Sequence, residues 1–457
     1  MVALIDKLPN ELLYAILVDT KQVESRDVPW SWRMAHVSKR WRHQIFSTQT
    51  LWERPLAFRH DSKLSRFRAE SLLFDDQPLD MRLELLRCEL HRARDAMSVV
   101  AEQFHRLSAL YLKLAAAQIE GRCLDVLLKN IELPCLVTLS VSVTQKTNFS
   151  FGLRCPRLQD LSLDMMMPRK WDNLVSANLT QLSLANIRLE SADFRHVLQC
   201  GCNIQAMALR NFGFLDAPDP FECALPRLHT LTISETHDFM LTMLYRILGA
   251  RNVRDMTVLA KWGGANDYTR HLRVDDLPTV QSMTVDAWKL CIANHGTGVT
   301  RRYTYLGEEM FYHLARHRGL ANTLRELDIA LSSWVPLARA LGSDCTLPGL
   351  DRLTTRVDHR GRVRGKELMQ STLAAADEQF IRCPQLRHVV LDGAPNTGWE
   401  QPDGPLIVHF VLALRSDNLA SIKLQNLAFA PEEALAFEIL NADFGVSVDY
   451  KVQQTRT

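Results

Sequence analysis

The sequence predicts an α/β protein: a helical N-terminal module, then an irregular solenoid with curved parallel strands on its concave face and helices on its convex face. Three observations predict this. A short phrase of alternating apolar residues recurs along most of the chain. Helical phrases lie between its copies, and the first fifty-odd residues carry helical periodicity alone.

The chain has 457 residues, more than one compact core ordinarily holds unless the architecture is extended. Apolar content of 47% and charged content of 23% are ordinary for a globular protein. A balance of 54 basic against 52 acidic residues argues against general polyanion binding, so no nucleic-acid partner is expected. No apolar run is long enough to span a membrane, and the start has no basic lead-in of a secretory signal. Ten scattered cysteines, two of them (Cys155 and Cys383) directly before proline, read as buried thiols. They suit a reducing cytoplasmic or nuclear setting.

The first element is "LPNELLYAIL", residues 8–17. Wound as a helix, Leu4, Ile5, Leu8, Leu12, Leu13, Ile16 and Leu17 cover more than half its circumference. One core needs a stripe only about 100° wide. Pro9 suits the first turn, where its missing N–H costs nothing, and Glu11 suits the positive helix end. The second element, "RMAHVSKRWRHQIF" at 33–46, reads as a helix with Met34, Val37, Trp41 and Ile45 on one face. "STQTLWERP" closes the module with Leu51 and Trp52.

The order L-P-x-E-L-L-x-x-I-L, V-S-x-x-W-R, S-T-x-x-L-W over residues 5–55 resembles the F-box in its fungal form. That resemblance implies docking on the Skp adaptor of SCF ubiquitin ligases and, through it, on a cullin. It assigns adaptor contacts to Leu8, Pro9, Leu12, Leu13, Ile16, Val37, Ser38 and Trp41. The stretch "DTKQVESRDVPWSW" is longer than usual between the two helical phrases, and Thr20 stands where leucine is common. A simple cap on a repeat array is the alternative, but a cap needs one apolar face only.

Residues 1–58 are therefore read as the helical module and 59–78 as a helical junction, with the repeats over 79–457. "PLDMRLEL" at 78–85 is an irregular first unit. Phrases of the form L-x-x-L-x-L then start at Leu107, Leu136, Leu158, Leu179, Ile204, Leu228, Val253, Val280, Leu324, Leu350, Leu386 and Leu419. From Leu136 to Val280 the intervals are 22, 21, 25, 24, 25 and 27 residues, and afterwards 44, 26, 36 and 33. Each phrase reads as a short half-buried strand. Helical phrases between them include "FMLTMLYRILG" at 239–249, "LMQSTLAAADEQF" at 368–380 and "PLIVHFVLALR" at 405–415. One strand and one helix cannot bury their own apolar faces, so neighbours must stack.

This pattern resembles leucine-rich repeats. Asparagine usually stands ninth in the phrase, whereas Asn186, Asn211 and Asn426 stand eighth, which speaks against a regular asparagine ladder. An open α/β sheet without repeats is the alternative. The resemblance implies a concave face lined by residues between the apolar ones, suited to a target protein. Those are Asp160, Asp164, Gln181, Thr230, Thr232, Asp286, Glu326, Asp328, Arg352, Arg356, His388, Asp392 and Lys423, acidic in the middle and more basic near the end.

Enzymatic motifs are weak. "GRVRGKE" at 361–367 lacks a phosphate loop's spacing and has Glu367 in place of its Ser or Thr. Glu309, His313 and His317 lie four apart on one helical side but lack the glutamate of a zinc hydrolase. Cys200 and Cys202 have no second pair at zinc spacing, and no G-x-S-x-G phrase occurs. No cofactor, metal or catalytic set is expected. The leading expectation is a non-catalytic substrate receptor, ahead of a Skp-binding scaffold outside the ligase and an enzyme built on the Glu309–His317 helix.

Overall fold

A computed structural model describes residues 8–20, 34–47, 56–72, 78–115, 131–144, 150–168, 170–216, 221, 223, 225–259, 279–286, 289–304, 309–315, 319–342, 346–356, 381–393, 404–429 and 431–452. The fold is mixed α/β, and the chain forms two compact units, Met1–Leu228 and His229–Thr457. Among the described residues no helix is long and apolar enough to cross a membrane.

The first unit opens with helices α1 (Asn10–Thr20) and α2 (Lys39–Ser47). The sequence reads one continuous helix over 33–46; the structure breaks it at His36–Ser38. Ser38 supplies the reason. Its Oγ accepts the N–H of Trp41 at 3.2 Å, and its carbonyl accepts Arg42 N–H at 3.0 Å, which makes it the cap of α2.

Among the described residues, seven strands of the main sheet follow: β1 (Leu56–Phe58), β2 (Leu79–Glu84), β3 (Leu107–Leu114), β4 (Thr138–Val143), β5 (Asp160–Asp164), β6 (Gln181–Ala185) and β7 (Ala206–Arg210). Each pairs in parallel with the next in chain order. Alternate side chains are buried, and the leading residues of the phrases, Leu136, Leu158, Leu179 and Ile204, are fully buried just ahead of their strands. Leu56–Phe58 thus belongs to the sheet, although the sequence places it in the helical module. The junction at 59–78 is a β–α–β crossover: helix α3 (Leu64–Leu72) returns the chain from β1 to β2, with Phe67 against Phe58 at 5.3 Å between ring centroids. Helices α4 (Leu90–Glu102) and α5 (Ser191–Cys200) complete the unit.

The second unit has β8 (Thr230–Ser234), β9 (Asp255–Leu259), β10 (Ser282–Asp286), β11 (Lys289–Asn294) and β12 (Val299–Thr304). Then come β13 (Glu326–Ala330), β14 (Arg352–Arg356), β15 (His388–Asp392), β16 (Ser421–Phe429) and β17 (Ser447–Val452). The sequence reading puts β10 beside β9. Instead the chain overshoots: β12 pairs with β9, β11 runs antiparallel between β12 and β10, and only β10 meets β13. Arg301 on β12 explains part of this order, because its buried guanidinium donates to the carbonyls of Val253 and Arg254. Beyond β13, neighbours again follow chain order. The helices are α6 (Asp238–Ile247), α7 (Glu309–Ala315), α8 (Leu320–Thr323), α9 (Leu331–Leu341), α10 (Gly404–Ala413) and α11 (Pro431–Phe444). The two helices read at 239–249 and 405–415 are α6 and α10; the phrase at 368–380 lies outside the described residues.

The eighth phrase position has its own geometry. Met165, Asn186, Asn211, Glu235 and Asn426 all stand there with φ between 46° and 59°. This left-handed turn is one that asparagine tolerates better than most residues. Asn211 Nδ2 donates to Asn186 Oδ1 at 2.9 Å, and Asn186 Nδ2 to Asp164 Oδ1 at 2.7 Å. Asn426 Nδ2 donates likewise to Asp392 at 2.7 Å. Among the described residues these bonds link Asn211, Asn186 and Asp164 in a short run, with Met165 and Glu235 at the same position in neighbouring copies.

Candidate protein-binding surfaces

The α1–α2 pair has an interior of Leu13, Leu17, Ala35, Trp41 and Ile45, all buried. Arg40 ties the pair together, its guanidinium reaching the Leu8 carbonyl and Asn10 Oδ1, while Arg42 donates to the Ala35 carbonyl at 3.1 Å within the second arm. The eight residues assigned to an adaptor therefore divide. Leu12 and Val37 are exposed, at 53% and 52% of their surface, and Pro9 is exposed as well. Leu8, Ile16 and Ser38 are half-buried. Leu13 and Trp41 face inward, which corrects their assignment as contacts in this arrangement: two helices must first bury each other. Periodicity reveals the width of an apolar stripe but not which half its own chain covers. Trp52 and the long stretch from 21 to 33 lie outside the described residues.

The polar positions of the strands share one sheet face within each unit. In the first, Asp160 pairs in register with Gln181, while Asp164 stands between Ser142 and Ala185. In the second, Glu326, Arg352 and His388 are successive partners across β13, β14 and β15, and Arg356 partners Asp392. Asp328, between Glu326 and Ala330 on β13, shares this face, and so does Lys423 on β16. Thr230 and Thr232 open the unit on β8. They are separated from Asp286 by three strands, where the sequence reading allows one. The intervening strands bring Asp255, Cys291 and Arg302 onto the face, the last two from strands that the phrase pattern overlooks. The alternation in "KLCIAN" and "VTRRYT", with a glycine turn between them, carries the missed signal.

Three carboxylates on these faces have an arginine beside them. Arg210 bonds Asp164 at 3.0 Å, Arg302 bonds Asp255 at 2.5 Å and Arg356 bonds Asp328 at 2.7 Å. Each arginine lies on a later strand than its acid, so no single phrase announces the pairing. Burial pushes the Asp328 carboxyl above its ordinary range, and Arg356 pulls it back while Asp392 and Asp286 push it further up. Burial alone raises Asp160. Arg352, His388, Glu326, Gln181 and Lys423 remain exposed to solvent. The "GRVRGKE" segment lies outside the described residues, as do His317 and the side chains of Glu309 and His313.

Comparison with known proteins matches no family model to the chain, and no curated protein matches it.

Proposed function

We propose that this chain is the substrate-recognition subunit of an SCF-type cullin–RING ubiquitin ligase. Read as an F-box, the α1–α2 module docks on the Skp adaptor; read as an irregular leucine-rich-repeat solenoid, the sheet presents its polar face to a target protein. The chain would supply proximity, holding the target near a ubiquitin-charged enzyme carried elsewhere in the complex. One observation carries the reading: Leu12 and Val37 stay exposed on a helix pair whose interior Leu13, Leu17, Trp41 and Ile45 already fill. Exposed apolar side chains beside a finished core are what a partner's surface would cover.

The test is capture of recombinant Skp by the full chain carrying Leu12→Asp with Val37→Asp. Charges would enter an apolar contact, so capture should be lost. Both positions are solvent-facing, and thermal stability should move by no more than about 0.5 kcal/mol. Undiminished capture by the double variant refutes the interface. If the wild-type chain brings down Skp without cullin, it acts as a scaffold outside the ligase.

A further inference from the structure

We propose that Asp172, His196 and Cys200 form a binding site for a zinc-type divalent cation. A carboxylate oxygen, an imidazole nitrogen and the thiol sulfur all lie within 4.8 Å of one another. The sulfur is 3.5 Å from His196 Nε2, and the same nitrogen contacts the Asp172 carboxylate. A tetrahedral zinc with bonds of roughly 2.0–2.3 Å sets its ligand atoms roughly 3.3–3.7 Å apart; the sulfur–Nε2 spacing already falls in that range, and the Asp172 oxygen, now in direct contact with Nε2, would draw back to admit the ion.

The donors sit on rigid supports. His196 and Cys200 are one turn apart on α5, whose opposite side buries Phe194, Val197 and Leu198. Asp172 is on the short 3-10 turn Trp171–Asn173, anchored by buried Trp171, Leu174 and Val175. The Asn173 carbonyl is held by Cys155 N–H at 2.8 Å. Sequence spacing concealed the site, because Asp172 comes from the preceding repeat and pairs with neither cysteine of the C-G-C phrase in an ordinary zinc motif. The proposal departs from the sequence expectation of no metal.

Donor chemistry selects the cation. A thiolate and an imidazole favour zinc over calcium or magnesium, which take oxygen donors. Three protein ligands at a partly exposed location leave a fourth position for water. A thiol nucleophile with a histidine base fits less well. Such a triad needs the carboxylate on one ring nitrogen and the thiol on the other. Here both meet Nε2, and Nδ1 is 3.8 Å from the sulfur.

Cobalt(II) titration of the full chain tests the site. One cobalt per chain should bind with intense visible bands of tetrahedral coordination and a thiolate-to-cobalt charge-transfer band, and zinc should displace it. Cys200→Ser should abolish the charge-transfer band. His196→Ala and Asp172→Asn should each weaken zinc at least tenfold, with circular dichroism unchanged. Cys202→Ser should bind as wild type. A weak octahedral spectrum, or a charge-transfer band that survives in Cys200→Ser, overturns the proposal.

Discussion

Asp160 shows how a single side chain on the sheet face couples to stability. Its carboxyl is half-buried, and desolvation raises its pKa above the ordinary 3.8. The folded state then holds the proton more tightly than the unfolded state does. Stability from this group is complete below 3.8 and is lost as pH rises through the elevated folded value. Asp160→Asn should therefore stabilise the protein at neutral pH, with an advantage that shrinks to nothing near pH ~3. Urea midpoints of both proteins at the two pH values measure it; an advantage independent of pH contradicts the assignment. Cys155 behaves as its position before proline suggests: burial pushes its thiol up to about 12, which keeps it protonated and unreactive.

At the scale of elements, strand interiors were legible and strand ends were not. Each L-x-x-L-x-L phrase carries its strand, because alternation is a local property. The turn that follows depends on the neighbouring strand, whose carbonyl captures the N–H of the left-handed residue: Asn186 N–H reaches Arg210 O at 2.7 Å. Asn186→Ala loses two side-chain bonds, the one donated to Asp164 and the one accepted from Asn211, together worth about 2 kcal/mol. Alanine keeps the Cβ that asparagine already carries in this left-handed turn and loses the local hydrogen bonding that offsets its strain, at up to about 1 kcal/mol. Chemical denaturation should show a total loss of about 2–3 kcal/mol, with Asn186→Gly losing less. A neutral Asn186→Ala would mean the turn relaxes to another conformation. The β1–α3–β2 crossover was equally hidden, since "LAF" is too short to signal a strand without Met81 and Leu83 beside it.

For the whole molecule, the proposed function separates two surfaces that should fail independently. Arg352→Glu with Lys423→Glu alters exposed positions of the second unit and should weaken target capture at least tenfold while Skp capture stays unchanged. Leu12→Asp with Val37→Asp should do the reverse, leaving target affinity intact. Paired binding measurements on the two variants decide the matter: loss of both activities in either protein indicates unfolding, and loss of neither refutes the assignment of that surface.

What the sequence determined by itself was everything with a short period: the α/β class, the positions of the repeated strands, the polar face between their leucines, and the oversized apolar stripe near the N-terminus. Backbone geometry converts such patterns directly into faces, with a period of two in strands and 3.6 in helices. Tertiary structure decided what depends on neighbours distant in sequence. It turned Leu13 and Trp41 inward while leaving Leu12 and Val37 outside, inserted β11 and β12 between β9 and β10, and paired Asp328 with Arg356. It also brought Asp172 from one repeat to His196 and Cys200 of the next. Burial and ion pairing depend on three-dimensional distance, and a one-dimensional pattern does not contain that quantity.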